Sequence, residues 1–241
     1  MSYEAVLLDA GGVLVLPSHE PVLEALVEVE VEVEPGRLDA AHYAGMRGLD
    51  TAPHGPFDWR DYLAAYLDAL AVPEPQRPEA SERLRALFAG SAALWSRPTA
   101  GVREALTALA ESGLRLGVVS NAEGTVAARL AELAICQVGA GAGVPVEVVI
   151  DSHVVGVEKP DPAIFGFALR AMELGPARCL YLGDSVRIDV AGARAAGLTP
   201  VLVTPEPAAR SGDFRRIRSI AELAGDVRQV VKLFAEAELR R

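Results

Sequence analysis

Residues 6–14 read VLLDAGGVL, and this stretch carries the strongest fold signal in the chain. Its apolar first part is typical of a short buried strand. Asp9 follows that strand directly, and Gly11 and Gly12 allow the backbone to turn sharply behind it. In open α/β sheets the chemistry lies at the carboxyl ends of parallel strands. The stretch therefore predicts a buried parallel strand that ends in a functional carboxylate.

Beyond about residue 99 the chain alternates between helical and strand patterns. Helices are predicted over 99–112, 122–133, 161–174, 186–196 and 222–239, and strands over 114–119, 146–150, 179–182 and 200–203. Strands separated by helices of this length indicate a parallel sheet with helices on both faces. The predicted fold class is therefore α/β, with a Rossmann-like parallel sheet core.

The segment 17–98 breaks this alternation and reads as mainly helical. Within it, residues 27–34 alternate between Val and Glu, which fits either a strand or a helix that frays into an extended connection. We therefore predict a helical cap domain at 17–98, inserted into a Rossmann-like core domain made of 1–16 and 99–241.

Composition excludes several classes of function. The net charge of −10 argues against nucleic-acid binding, which depends on a basic surface. Cys136 and Cys179 are too few for a disulfide framework or a zinc site. The first strand begins too early to leave room for a signal peptide, and no apolar run approaches the roughly 20 residues of a membrane span. We therefore expect a cytoplasmic protein that uses no membrane, and nothing in the sequence indicates its oligomeric state.

Three later segments place polar residues where strands end or helices begin. Ser120 directly follows the strand 114–119, Lys159 precedes the helix 161–174, and Asp184 follows the strand 179–182. Each residue also has an ordinary structural interpretation, as a helix cap or a solvated charge. Together with Asp9, however, they are expected to converge at one edge of the sheet.

This set of side chains suits phosphoryl transfer. Asp9 can act as the nucleophile and form an aspartyl-phosphate. Mg²⁺ prefers a sparse set of oxygen ligands, which Asp9, Asp184 and the Gly11 backbone carbonyl can provide. Lys159 can balance charge between nucleophile and phosphate. The candidate phosphate-binding residues are Ser120, Asn121 and Lys159, and Asp189 is a supporting residue that orients Lys159 or metal-bound water.

The ordered set resembles the haloacid dehalogenase (HAD) superfamily, in the branch with a helical cap between the first and second motifs (C1, subfamily I). The resemblance covers nearly the whole chain. Asp9 matches the first motif, Ser120 the second, Lys159 the third, and Asp184 with Asp189 the fourth. The resemblance implies a Mg²⁺-dependent phosphohydrolase that cleaves a small phosphorylated metabolite through an aspartyl-phosphate.

One position departs from the family pattern. Family phosphatases usually carry a second aspartate two residues after the nucleophile, and this chain has Gly11 there. A general acid and base of that kind typically contributes a factor of 10²–10⁴ in rate. The alternative to an active enzyme is therefore a catalytically degenerate protein that binds a phosphorylated ligand or protein partner. In an active enzyme, His19 is a candidate to replace the missing acid or base. A dinucleotide-binding module is disfavoured, because no glycine-rich turn joins a strand to a helix here.

Overall fold

The computed structural model describes residues 3–52, 58–90, 92–205 and 213–225. The strands are β1 (Ala5–Leu8), β2 (Val15–Pro17), β3 (Trp95–Pro98), β4 (Arg115–Ser120), β5 (Cys136–Val138), β6 (Val144–Val146), β7 (Val148–Asp151), β8 (Cys179–Gly183), β9 (Thr199–Val203) and β10 (Arg215–Ile217). The α-helices are α1 (His19–Val27), α2 (Leu38–Thr51), α3 (Trp59–Ala69), α4 (Arg77–Gly90), α5 (Val102–Glu111), α6 (Val126–Glu132), α7 (Ser152–Val155), α8 (Ala163–Ala171), α9 (Ala191–Ala195) and α10 (Ile220–Gly225).

The central sheet confirms the predicted α/β class. Its six strands lie in the order β10-β9-β8-β1-β4-β7, and every neighbouring pair is parallel. β1 therefore lies in the interior of the sheet, between β4 and β8. The carboxyl ends of β1, β4 and β8 therefore meet at one edge of the sheet, at Leu8, Ser120 and Gly183.

Helix α8 shows how the sheet is covered. Its Phe165 and Ala168 are fully buried and belong to the same apolar cluster as Leu7 of β1 and Val119 of β4. Strand β1 is buried along its whole length, which explains its uninterrupted apolar sequence, since a parallel strand covered on both faces needs no polar side.

Several predicted elements have different bounds in the structure. Helix α6 begins at Val126 rather than at 122, because the preceding residues form a loop held by the Asp151 carboxylate. That carboxylate accepts hydrogen bonds from the N–H groups of Gly124 (2.9 Å) and Val126 (3.4 Å). The predicted strand 146–150 divides at Glu147 into the end of β6 and the start of β7. The predicted helix 186–196 opens with a π-helical turn, Val186–Val190, before α9.

Only the first part of the helix predicted at the carboxyl terminus lies within the described residues. Helix α10 covers Ile220–Gly225, whereas the rest of the predicted helix 222–239 lies outside the described residues. Among the helices that the structure describes, none combines the length and apolar character needed to cross a membrane.

Backbone contacts divide the chain into two compact units, Met1–Leu14 with Pro98–Arg241, and Val15–Arg97. The second unit contains α1–α4. Aromatic side chains pack in the interior of this unit. Tyr62 stacks on Tyr66, and the Tyr62 hydroxyl lies 2.9 Å from Nδ1 of the buried His42. The alternating segment 27–34 begins at the last residue of α1 and forms no strand. Val29 and Val31 are buried, and the intervening Glu30 is exposed.

Candidate active site

Asp9 follows β1 and is held in place from both sides. Its N–H donates to the Leu182 carbonyl (2.8 Å), which continues the hydrogen bonding between β1 and β8. Its Oδ1 accepts from the Ala10 N–H at 2.8 Å. Its Oδ2 lies 2.8 Å from the Lys159 ammonium. The Asp9 side chain is thus fixed at the sheet edge, and only 8% of the residue is exposed.

Lys159 places its ammonium among three acceptors. Nζ lies 2.8 Å from Asp9 Oδ2 and from Asp189 Oδ1, and 2.9 Å from the Tyr181 hydroxyl. An ammonium group has three N–H donors, so all three have a partner in this arrangement. Lys159 was predicted to bind phosphate. Such binding requires that one of these N–H groups be shared or released.

Asp189 connects Lys159 to the chain around Asp184. Its Oδ2 accepts from the N–H groups of Asp184 (3.1 Å) and Ser185 (3.0 Å), and its Oδ1 contacts Lys159. Both oxygens are therefore engaged with the protein. Asp189 therefore lies directly beside Lys159, and its supporting role in the reaction stays a prediction.

The carboxylates of Asp9, Asp184 and Asp189 lie together, with one oxygen of each within 4.8 Å of the others. All three residues are buried. Oxygen ligands at this spacing suit a hard cation such as Mg²⁺. Both oxygens of Asp189 also bond Lys159 or backbone N–H groups, so a cation bound there would share them with those donors.

The two glycines after Asp9 are not equivalent. Gly12 has a φ of +70°, and a Cβ built on it would lie 1.9 Å from Asp184 Oδ2. Any side chain at that position would displace the Asp184 carboxylate, so the fold requires glycine there. Gly11, in contrast, is not among the glycines with positive φ.

Ser120 ends β4 at the same edge and Asn121 follows it, but their environments differ. Ser120 is buried, and its hydroxyl makes no hydrogen bond with the described residues. The Asn121 amide donates to the Lys159 carbonyl at 2.9 Å and accepts from the Lys159 N–H at 2.7 Å. The Asn121 side chain thus holds the backbone of Lys159, and phosphate binding by Asn121 stays a prediction.

Burial controls the electrostatics of this cluster. Burial raises the pKa of Asp9 from 3.8 to about 7, although the nearby Lys159 ammonium opposes the shift. Burial also lowers the pKa of Lys159, but the carboxylates of Asp189 and Asp9 outweigh that effect and raise the pKa overall. Lys159 therefore remains charged near neutral pH, and the cluster has more carboxylates than cations to balance them.

Sequence reasoning missed Tyr181, whose hydroxyl contacts both Lys159 and Asp189. The available signal was weak: a single tyrosine inside the apolar strand β8. His19, considered as a replacement acid or base, has Nε2 2.8 Å from Asp39 Oδ1 within the second unit. That contact gives His19 a structural partner of its own.

Comparisons with known proteins identify relatives of this chain. The chain is 38% identical over 97 residues to phosphoserine phosphatase of Thermus thermophilus, an alignment that covers 39% of this chain and 36% of that protein. It is 30% identical over 201 residues to N-acetylmuramic acid 6-phosphate phosphatase of Pseudomonas aeruginosa, covering 82% of this chain and 80% of that protein. Three relatives, phosphoserine phosphatase among them, are matched over only 36% to 48% of their own length.

The fold matches a crystal structure of a HAD phosphatase from Thermococcus onnurineus, with a TM-score of 0.55 and 19% identity over 93% of this chain and 98% of that one. A similarity at this identity concerns the fold alone. The model of the haloacid dehalogenase-like hydrolases matches residues 3–197. The chain therefore belongs to the haloacid dehalogenase-like hydrolase family.

Proposed function

We propose that this protein is a Mg²⁺-dependent phosphohydrolase that cleaves a small phosphorylated metabolite through an aspartyl-phosphate. The observation that carries the proposal is the contact of the buried Asp9 carboxylate with the Lys159 ammonium, beside Asp184. A nucleophile, a fixed cation and a second carboxylate ligand are thereby brought together at the carboxyl edge of the sheet.

The reaction has two displacements at phosphorus. In the first, a carboxylate oxygen of Asp9 bonds to phosphorus while the bond from phosphorus to the ester oxygen breaks, and the leaving oxygen takes a proton. In the second, water attacks phosphorus, gives up a proton and releases inorganic phosphate, which regenerates the Asp9 carboxylate. Dividing hydrolysis in this way replaces one difficult step with two easier ones.

The residues around Asp9 have distinct parts in this scheme. The Lys159 ammonium offsets the repulsion between the carboxylate and the phosphate dianion, and Asp189 orients that ammonium. The Ser120 hydroxyl is available to donate to a phosphoryl oxygen. Asp9 and Asp184, with the Gly11 carbonyl, would hold Mg²⁺, which supplies positive charge to the phosphoryl oxygens when bound.

The relatives support the same chemistry. Two proteins that align with this chain are named as phosphatases, one for phosphoserine and one for N-acetylmuramic acid 6-phosphate. We include in the proposal that the unit Val15–Arg97 is the helical cap of the enzyme. Caps in enzymes of this kind exclude water and select the leaving group.

The proposal is tested with purified wild-type protein, Asp9→Asn and Glu147→Gln. Glu147 is a matched control, since its carboxylate pairs with Arg115 at the opposite, amino-terminal edge of the sheet. Wild type and Glu147→Gln are expected to release phosphate from p-nitrophenyl phosphate with Mg²⁺ but not with EDTA, whereas Asp9→Asn is inactive. An Asp9→Asn protein as active as wild type would refute the proposal.

The absence of an aspartate at position 11 favours a second candidate function, that of a catalytically degenerate protein that binds a phosphorylated ligand. The backbone at Gly11 does not have the positive φ that favours glycine, so Gly11→Asp tests the missing acid directly. In an active enzyme that lacks this acid, p-nitrophenyl phosphate should react far faster than an alkyl phosphate, and Gly11→Asp should speed the alkyl ester most. Activity that appears only in Gly11→Asp would instead support the degenerate protein.

A further inference from the structure

Tyr181 is a fully buried residue of β8 that the proposed reaction does not use. It is in register with Leu7 on the neighbouring β1. Its ring packs edge-on against Phe165 of α8, with centroids 4.8 Å apart. The ring is therefore fixed, and the hydroxyl at its tip has a defined position.

That hydroxyl meets three different parts of the core. It accepts from Lys159 Nζ at 2.9 Å, and its single proton can reach Asp189 Oδ1 (2.9 Å) or the Val119 carbonyl of β4 (3.1 Å). β4 is two strands away from β8 in the sheet. The hydroxyl thus connects the lysine to a rigid frame made of two strands and the Asp189 carboxylate.

From this geometry we propose that Tyr181 is a positioning residue for the reaction, whose hydroxyl fixes the Lys159 ammonium against Asp9 Oδ2. The inference rests on the proposed function. The three acceptors of the ammonium are two carboxylates and one neutral hydroxyl. Without the hydroxyl, one N–H of a buried ammonium loses its acceptor, and Asp189 loses a competing donor. The ammonium then moves towards Asp189 and away from Asp9.

Tyr181→Phe removes the hydroxyl and keeps the ring. Because Lys159 offsets charge as Asp9 attacks, kcat is expected to fall at least tenfold, while KM changes by less than about threefold. Tyr62→Phe is the matched control: Tyr62 is also buried, its hydroxyl contacts the buried His42, and it lies in the unit Val15–Arg97. It is expected to lose comparable stability but to keep its kcat.

A second readout does not depend on turnover. The chain has two lysines, Lys159 and Lys232, so a Lys232→Arg background leaves Lys159 as the sole source of a side-chain ammonium signal in protein labelled with ¹⁵N-lysine. Tyr181→Phe should shift that ammonium resonance, whereas Tyr62→Phe should leave it in place.

The outcomes separate the two proposals. An unshifted resonance in Tyr181→Phe, or an unchanged kcat in an active enzyme, would overturn the positioning role of Tyr181. An equal fall of kcat in Tyr62→Phe would overturn it as well, since the loss would then follow stability alone. Wild-type protein without phosphatase activity would refute the proposed function, and the resonance comparison would still decide whether Tyr181 holds Lys159.

Discussion

Replacing Asp9 with asparagine should make the metal-free protein more stable at neutral and alkaline pH, although it removes an ion pair. The reason is the raised pKa of Asp9, which burial causes and Lys159 only partly offsets. Asparagine resembles the protonated carboxyl group in shape and remains uncharged. The substitution therefore removes a buried negative charge from a cluster that already contains Asp184 and Asp189.

The magnitude follows from the shift in pKa from 3.8 to about 7. Each unit of pKa corresponds to about 1.4 kcal/mol, so the wild-type protein should lose about 4 kcal/mol of stability between pH 4 and pH 8 through this group. The direction of this pH dependence follows from the difference in proton binding between the folded and unfolded states. The folded state binds the proton more tightly than the unfolded state, so the stability is present below pH 4 and is lost as the pH rises through about 7.

The assay is urea denaturation in EDTA at several pH values between 4 and 8, with unfolding monitored by circular dichroism. The stability of Asp9→Asn minus that of wild type should grow with pH and level off above about 7. Glu147→Gln provides a control of opposite sign, because the hydrogen bond from Arg115 lowers the pKa of Glu147. That variant should be the less stable protein at neutral pH, with a difference that shrinks as the pH falls below the ordinary value of 4.5. A pH-independent difference for Asp9→Asn, or a more stable wild type at pH 8, would refute the electrostatic reasoning.

Two further predictions concern the metal ligands. In thermal-shift measurements, Mg²⁺ should raise the unfolding temperature of wild-type protein. At a Mg²⁺ concentration 100 times the dissociation constant, binding should add about 2.7 kcal/mol to the free energy of unfolding. Asp184→Asn should remove most of this stabilisation. Gly12→Ala should also abolish the response to Mg²⁺, because its Cβ would occupy the place of Asp184 Oδ2. Gly113→Ala controls for backbone strain alone, since Gly113 has a φ of +90° and no atom within 4 Å of a built Cβ; an equal response in both glycine variants would contradict the steric argument.

The sequence predicted those parts of the fold that depend on local pattern. The apolar runs of β1, β4 and β8 and the spacing between them were sufficient to predict a parallel sheet, which the structure confirms. The strands β5 and β6 were not recognised as a pair, because each has three residues and their pairing depends on the loop between them. The start of α6 was misplaced because the Asp151 carboxylate that holds the preceding loop is 25 residues away from Val126 in the sequence.

The sequence singled out four charged residues that the structure brings together, Asp9, Lys159, Asp184 and Asp189. Asp9 and Asp184 stood out because each directly follows a buried strand. The contacts of Asn121 and Tyr181 could not be predicted in this way, because they depend on which atom a side chain reaches across the sheet. Asn121 looked like a phosphate ligand from its place after Ser120, yet its amide bonds the backbone of Lys159.

The fixed state of Lys159 changes how phosphate binding must be understood. A lysine with free N–H groups would attract a phosphate by itself, but here all three N–H groups have protein acceptors. The protein also has a net charge of −10, and the three carboxylates beside this single ammonium repel an anion. In the proposed function, attraction of the phosphate therefore comes mainly from the cation that Asp9 and Asp184 would hold. Lys159 then acts on the Asp9 oxygen it already contacts, which is why we expect changes around Lys159 to alter kcat more than KM.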